Sequence, residues 1–153
     1  MNSELKIVCD RLQKNINKFS SDFLKYSEEE LTRKPAPNKW SKKEILGHLI
    51  DSAANNHHRF IRSQFESEPF KVIPYEQEHW VRIQRYNEPD SKFLIEFWKI
   101  YNLHLHSIIT NFPEDRLFVK CVSTDKREIA ENLFLLIKDY VDHMDHHMRQ
   151  IFT

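Results

Sequence analysis

Residues 125–151 read "DKREIAENLFLLIKDYVDHMDHHMRQI". Ile129, Leu133, Leu136, Tyr140, Met144 and Ile151 recur at spacings of three, four and seven. That period is helical rather than extended. Asp125, with Glu128 three positions on, gives a start signal, so a helix is expected from near Asp125 to the C-terminus. One face of it is apolar, so it needs partners to bury that face.

The rest of the chain supplies three more such helices. The first spans about residues 3–26, with Leu5, Val8, Leu12, Ile16 and Phe19 on one stripe. Ser27 and Glu30 can cap a short turn that Pro35 and Pro37 close. The second helix opens at "WSKKE", where Ser41 and Glu44 form a capping-box pattern, and is expected to run to about Glu68, before Pro69. Trp40 sits beside that cap as an apolar anchor. A third helix is expected over about 90–111, with Phe93, Phe97, Trp98 and Tyr101 in the core. Between the second and third lies "PFKVIPYEQEHWVRIQRYNEP", residues 69–89, a long connection with enough aromatics to pack over the other helices. Residues 114–124, "EDRLFVKCVST", are expected to hold one short extended piece.

Gly47 is the only glycine. Gly-rich phosphate loops, dinucleotide fingerprints and glycine-dependent hairpins are thereby excluded. The expected fold is all-α: one domain over residues 1–153, a bundle of four long antiparallel helices with negligible sheet. The order is up-down with one long connection, a crossover. Plain up-down-up-down stays open, because the connection can also be a long ordinary loop.

Charge and cysteine content narrow the partners. Lys plus Arg and Asp plus Glu both number 23, so there is no basic footprint for nucleic acid or an acidic membrane. Cys9 and Cys121 lie far apart, with no disulfide framework or CxxC site, which suits a reducing compartment. The N-terminus lacks an apolar targeting core, and no apolar run approaches the ~18 residues of a membrane span. A cytoplasmic protein is expected.

The histidines can be placed by angle, since helical residues advance about 100° each. Taking Tyr140 as the centre of the last stripe, His147 lies about 20° away, His143 about 60° and His146 about 120°. His147 should point inward, His143 should flank it, and His146 should face outward. His143 and His147 are i and i+4, so their rings can meet one ion. Two helical histidines need at least one more protein group. A candidate is His48, in "GHLIDSAANNHHRF" directly after the glycine. It lies about 100° from a stripe centred on Leu49, a boundary position. Glu44, Ser52, Asn55 and Arg59 share its side, making either a solvated strip or a wet pocket wall. Asp51, about 60° from His48, can orient that imidazole, accept a proton, or simply be solvated.

"NKWSKKEILGHLIDS…NHHRF", followed by "HMDHHMRQI", resembles the DinB-like superfamily, from about Trp40 to Ile151. That superfamily includes YfiT-type metal-dependent hydrolases and bacillithiol- and mycothiol-dependent transferases. The resemblance implies a four-helix bundle holding one divalent metal on His48, His143 and His147. The angles single out the last two independently. Arg149 stands before the final Gln150 where many members carry a small residue. Of the other histidines, His104 lies about 60° from the third stripe, as a fourth ligand or a support to one. His79 can cap the pocket or lie on the surface. His57 and His58 are expected to be solvated, and His106 to face outward. Cys9 and Cys121 are expected to be ordinary buried thiols. Asn55, Arg59 and Gln150 are polar neighbours that can touch substrate.

Imidazole ligands suit zinc or nickel, among other ions. A three-histidine site leaves a position for water or a substrate thiol, whose pKa the ion would lower. No nucleophile elbow and no HExxH pattern is present. Two function classes follow. One is a metal-dependent thiol S-transferase or small-molecule hydrolase, with a low-molecular-weight thiol as cosubstrate in the first case. The other is a non-catalytic metal- or ligand-binding bundle or interaction module. A small-molecule substrate and a symmetric homodimer are the expected partners.

Overall fold

The structure is a computed structural model and describes residues 1–153. Four long helices form it: α1 (Ser3–Asp22), α3 (Lys42–Arg62), α5 (Ser91–Thr110) and α6 (Leu133–Ile151). Two short helices, α2 (Glu28–Thr32) and α4 (Gln77–Gln84), and two strands, β1 (Phe70–Val72) and β2 (Cys121–Ser123), lie in the connections. No helix is long and apolar enough to cross a membrane.

Each long helix begins on a side chain that satisfies its free N–H groups. Asn2 Oδ1 accepts from Glu4 N and Leu5 N at 2.9 and 3.1 Å. The Ser41–Glu44 and Ser27–Glu30 capping boxes are both formed. Asp90 accepts from Phe93 N, and Asn132 from Leu135 N. That last cap corrects the expected start of the final helix. Asp125 instead accepts from Arg127 N in a turn. The backbone between is drawn into extended pairing: Cys121 N donates to Glu131 O, and Leu133 N to Val119 O.

The second long helix also ends earlier than expected, at Arg62 rather than near Glu68. Arg116 closes it by donating to the carbonyls of Ser63 at 2.7 and 3.0 Å and Glu66 at 2.6 Å. Beyond it, β1 pairs in parallel with β2, in the register Phe70↔Cys121, Lys71↔Val122, Val72↔Ser123. The expected short extended piece is thus β2, and its partner lies in the 69–89 connection. The sheet is confined to these two three-residue strands.

Side-chain pairs give the helix directions. Arg11 meets Asp142, Asn15 meets Asp145 and Phe19 meets Phe152, so α1 and α6 run parallel. Phe19 packs on Trp98 and Cys9 meets Thr110, so α5 runs opposite to α1. Phe60 packs on Tyr140 while His48 reaches His143 and His147, so α3 runs opposite to α6. Hence α3 and α5 are parallel, and 69–89 is the crossover between them. This excludes plain up-down-up-down and corrects the expectation of an all-antiparallel bundle. Around the bundle the order is α1, α5, α3, α6, with α1 and α3 on a diagonal.

The crossover covers α3, so this helix is buried on every side from Ile45 to Ala53. Gly47 permits it: a Cβ there would lie 2.0 Å from the Tyr86 ring. Lys43, only 1 % exposed, pairs with Glu28, which also accepts from Ser91 Oγ, tying together the starts of α2, α3 and α5. In α5 the core expectation holds for Trp98, at 0 % exposed, and fails for Phe93 and Phe97, at 61 % and 44 %. Their rings stack along the outer face onto Tyr101, which is half-buried. Leu94, Ile95, Leu105 and Ile109 fill the inner face instead.

Candidate metal centre

Three histidines from two helices converge. His48 Nε2 is 3.0 Å from His143 Nε2, which is 3.1 Å from His147 Nε2. The three rings are mutually edge-to-face, with centroids 4.5–4.8 Å apart. His48 is 0 % exposed, while His143 and His147 are half-buried. The angular assignment put His147 at the centre of the apolar stripe. The buried face of α6 also takes in Ile137, Val141 and Met148, which moves its centre by roughly 35°. His143 and His147 therefore sit on the edge of that face, where a donor can be held and still be reached.

His48, a boundary residue by angle, is fully enclosed, with His143 and His147 of α6 against its ring. Trp40 lies against its ring, with centroids 4.8 Å apart. Burial lowers the pKa of His48 to about 3 and of His143 to about 4, with the neighbouring imidazoles adding to each shift. Burial also lowers His147, against an opposing effect of Gln150. All three rings are thus neutral near pH 7, the form that binds a metal. Gln150 Oε1 lies 2.7 Å from His147 Nδ1. A carbonyl oxygen only accepts, so Nδ1 carries the proton and Nε2 turns a lone pair to the centre.

Three neutral imidazole nitrogens facing one another at this spacing set lone pair against lone pair unless a cation or proton lies between them. Ligands that share one ion at about 2.0–2.1 Å come into such proximity. The donor set therefore fits one divalent metal, with a position left for water or substrate. Within the chain this cluster is the group of metal-binding side chains that comes together. His146 is exposed and outside it. Cys9 and Cys121 are buried free thiols, also outside it.

Asp51 does not orient His48. Its Oδ1 accepts from Tyr86 Oη at 2.6 Å and Gln84 Nε2 at 2.7 Å, and Oδ2 is buried without a partner. Burial raises the Asp51 pKa against those two donors. His48 Nδ1 is likewise buried and unpartnered. His104 packs on His57, whose Nδ1 is 3.0 Å from Tyr101 Oη, so His57 is tied down rather than solvated. His104 is exposed and takes no part in the centre. His106 is half-buried rather than outward. His79 is exposed and meets Arg82. Asn55 bonds to the Asp51 carbonyl and faces a cleft with His58 and Trp80 on the outer side of Arg59 and Tyr75.

A cavity of about 350 Å³ opens on His143. Arg59 and Ser52, both read on the His48 side of their helix, line it together with Tyr140, the centre of the α6 stripe; Asn56, Tyr75 and Asp139, which the sequence reading did not single out, join them. Asp139 was recoverable, because it stands four residues before His143 and thus on the same side of α6. Burial first, then the charge of Asp142, raises its pKa. Tyr75 was not recoverable, since the β1–β2 pairing brings it in from the crossover. On the other side, His147, Gln150 and Trp40 border a second opening of about 530 Å³.

The profile of the DinB superfamily matches residues 11–151. No curated protein matches. Among solved structures, YfiT from Bacillus subtilis, described as a probable metal-dependent hydrolase with an unusual four-helix bundle topology, superposes with a TM-score of 0.86 at 19% identity. That match covers 99% of this chain and 86% of that one. The chain belongs to the DinB superfamily.

Proposed function

We propose that this protein is a metal-dependent enzyme acting on a small molecule, with one divalent ion, zinc or nickel, on His48, His143 and His147. The observation that carries this reading is the convergence of three neutral Nε2 atoms beside a cavity large enough for a substrate. A bound ion of this kind lowers the pKa of a coordinated water or thiol and so supplies a nucleophile at neutral pH. The protein's own residues do the rest. Gln150 fixes the His147 tautomer, and Trp40 covers the His48 ring. Tyr75, Tyr140 and Leu136 shape the slot that aligns the substrate. Asp139, with its raised pKa, is the carboxylate placed to accept a proton at the cavity edge.

Attack by water makes the protein a hydrolase; attack by a low-molecular-weight thiol makes it an S-transferase. The likeness to YfiT favours the first, and the enclosed, weakly polar His48 side is compatible with either. The test is metal content of protein purified without a histidine tag or nickel column, followed by turnover of ester substrates and of a thiol-reactive electrophile with added thiols. About one ion per chain and turnover lost in His48→Ala are expected. A metal-loaded protein with no rate above background on any of these would favour a non-catalytic metal-binding bundle.

A further inference from the structure

Arg59 differs from the arginines around it. Arg62 pairs with Glu66, and Arg127 pairs with Glu76 and Asp125. Arg59 is half-buried and has no carboxylate within ion-pair distance. Its Nη2 donates to Ile73 O at 3.0 Å, its Nη1 makes a long contact of 3.4 Å with Asn56 Oδ1, and its Nε is buried without a partner. The Tyr75 ring lies 5.9 Å from the guanidinium carbon. A guanidinium stays charged in proteins and has five donors to satisfy. Leaving such a charge half-buried without a counter-ion costs stability unless something else supplies the negative charge.

The shape of the cavity says where that charge would come from. Its long walls are Ser52, Asn56 and Arg59 on α3 and Leu136, Tyr140 and His143 on the antiparallel α6. Each wall advances seven residue steps, so the slot is about 10 Å long at 1.5 Å per residue. Arg59 stands at one end and His143, a member of the histidine cluster, at the other. Asp139 and Glu128 also border the slot, but both are exposed at its rim, whereas Arg59 lies under Tyr75.

We propose that Arg59 is the anion-recognition residue of the substrate slot: the substrate is an elongated small molecule with a carboxylate or phosphate on Arg59 and its reacting group at the histidine end. The assignment deepens the metal-centred function and rests on it for the identity of the reacting end. The oxyanion end stands on Arg59 alone. The Ile73 carbonyl holds the guanidinium, Asn56 and Tyr75 flank it, and the apolar Leu136 and Val72 also line the slot.

The test is isothermal titration of the zinc-loaded full chain, and of the chain after chelation, with succinate, inorganic phosphate and uncharged succinamide. Succinate or phosphate should bind and succinamide should not; whichever anion binds more tightly identifies the group. Arg59→Gln should weaken binding at least about tenfold, the scale of a charge-assisted contact. Arg59→Lys should retain part of it, and Arg62→Gln, at an ion-paired arginine, should change nothing. Thermal melting checks that each variant is folded; were Arg59→Gln unfolded, the Arg59→Lys loss decides. Equal affinity in wild type and the Arg59 variants, or equal binding of succinamide, overturns the proposal. So does zinc uptake with no anion binding, which leaves the metal site standing. Arg59-dependent anion binding in a chain that takes up no zinc upholds the anion site and removes the metal reading instead.

Discussion

His146 and His147 are adjacent in the chain and occupy opposite surroundings. His147 turns Nε2 into the cluster and is held by Gln150 at Nδ1, while His146 faces solvent. Replacing His147 by Ala should abolish tight zinc binding, and His146→Ala should leave it nearly intact, as measured by competition with a chromogenic chelator. Equal losses would mean that the ion sits elsewhere. Gln150→Ala frees the His147 ring to rotate and exchange tautomers. Its expected cost is about tenfold in zinc affinity, the low end for an outer partner of a ligand, since Gln150 is exposed. Gly47 has a different task. The Cβ of Gly47→Ala would meet three atoms of the Tyr86 ring at 2.0–2.5 Å, so the ring and the chain around it must move. A loss of about 1–3 kcal/mol is expected from such overpacking, read from the urea midpoint. In a Tyr86→Ala background the same substitution should cost clearly less, because the pair is in direct contact.

At the scale of elements, α3 is held at its C-terminal end by a residue distant in sequence. Arg116 is the donor to the carbonyls of Ser63 and Glu66. Arg116→Ala should lower stability by about 1–3 kcal/mol, the cost of leaving buried polar groups unpaired. Hydrogen exchange should rise first over residues 59–66, and a uniform rise along α3 would argue against a local cap. The same contact explains a limit of the sequence reading. Four long helices, two capping boxes and the crossover were legible because they depend on local chemistry and period. The end of α3 and the start of α6 were not, because Arg116 and the β1–β2 pairing set them through non-local contacts. His143 and His147 were legible as a pair from their spacing. His48 was not legible by angle, because α3 is buried on all sides and carries no clean stripe; the family resemblance supplied it. Arg59 and Gln150 could be named as polar neighbours, but their tasks depend on what lies opposite them in space. Phe93 and Phe97 show the converse error, since aromatic character alone does not tell an inner helix face from an outer one.

The whole molecule is stitched together at the histidine cluster, which joins the central α3 to the C-terminal α6. Its protonation should therefore be felt as global stability. The folded pKa values of His48 and His143, about 3 and about 4, lie below the ordinary value of about 6.5 expected when unfolded. Between those limits the unfolded chain binds more protons than the folded one, so stability rises with pH. The contribution is fully present above about pH 6.5 and is lost progressively as the pH falls through 6 and 5 toward the folded values. His147, shifted in the same direction, adds to the slope. A bound ion sharpens it, because protons compete with the metal for the same lone pairs. At neutral pH, free zinc at a hundred times its dissociation constant should stabilise the fold by about 2.7 kcal/mol and raise the melting temperature. Scanning calorimetry from pH 7.5 to 4.5, with zinc and with chelator, tests both statements. Two curves should emerge that are well separated at pH 7.5 and converge on acidification. The triple variant His48→Ala, His143→Ala, His147→Ala should follow a single, flatter curve that is insensitive to zinc. If the wild-type curves stay parallel down to pH 4.5, the ion is not held by titratable imidazoles, and the three-histidine centre is the wrong site.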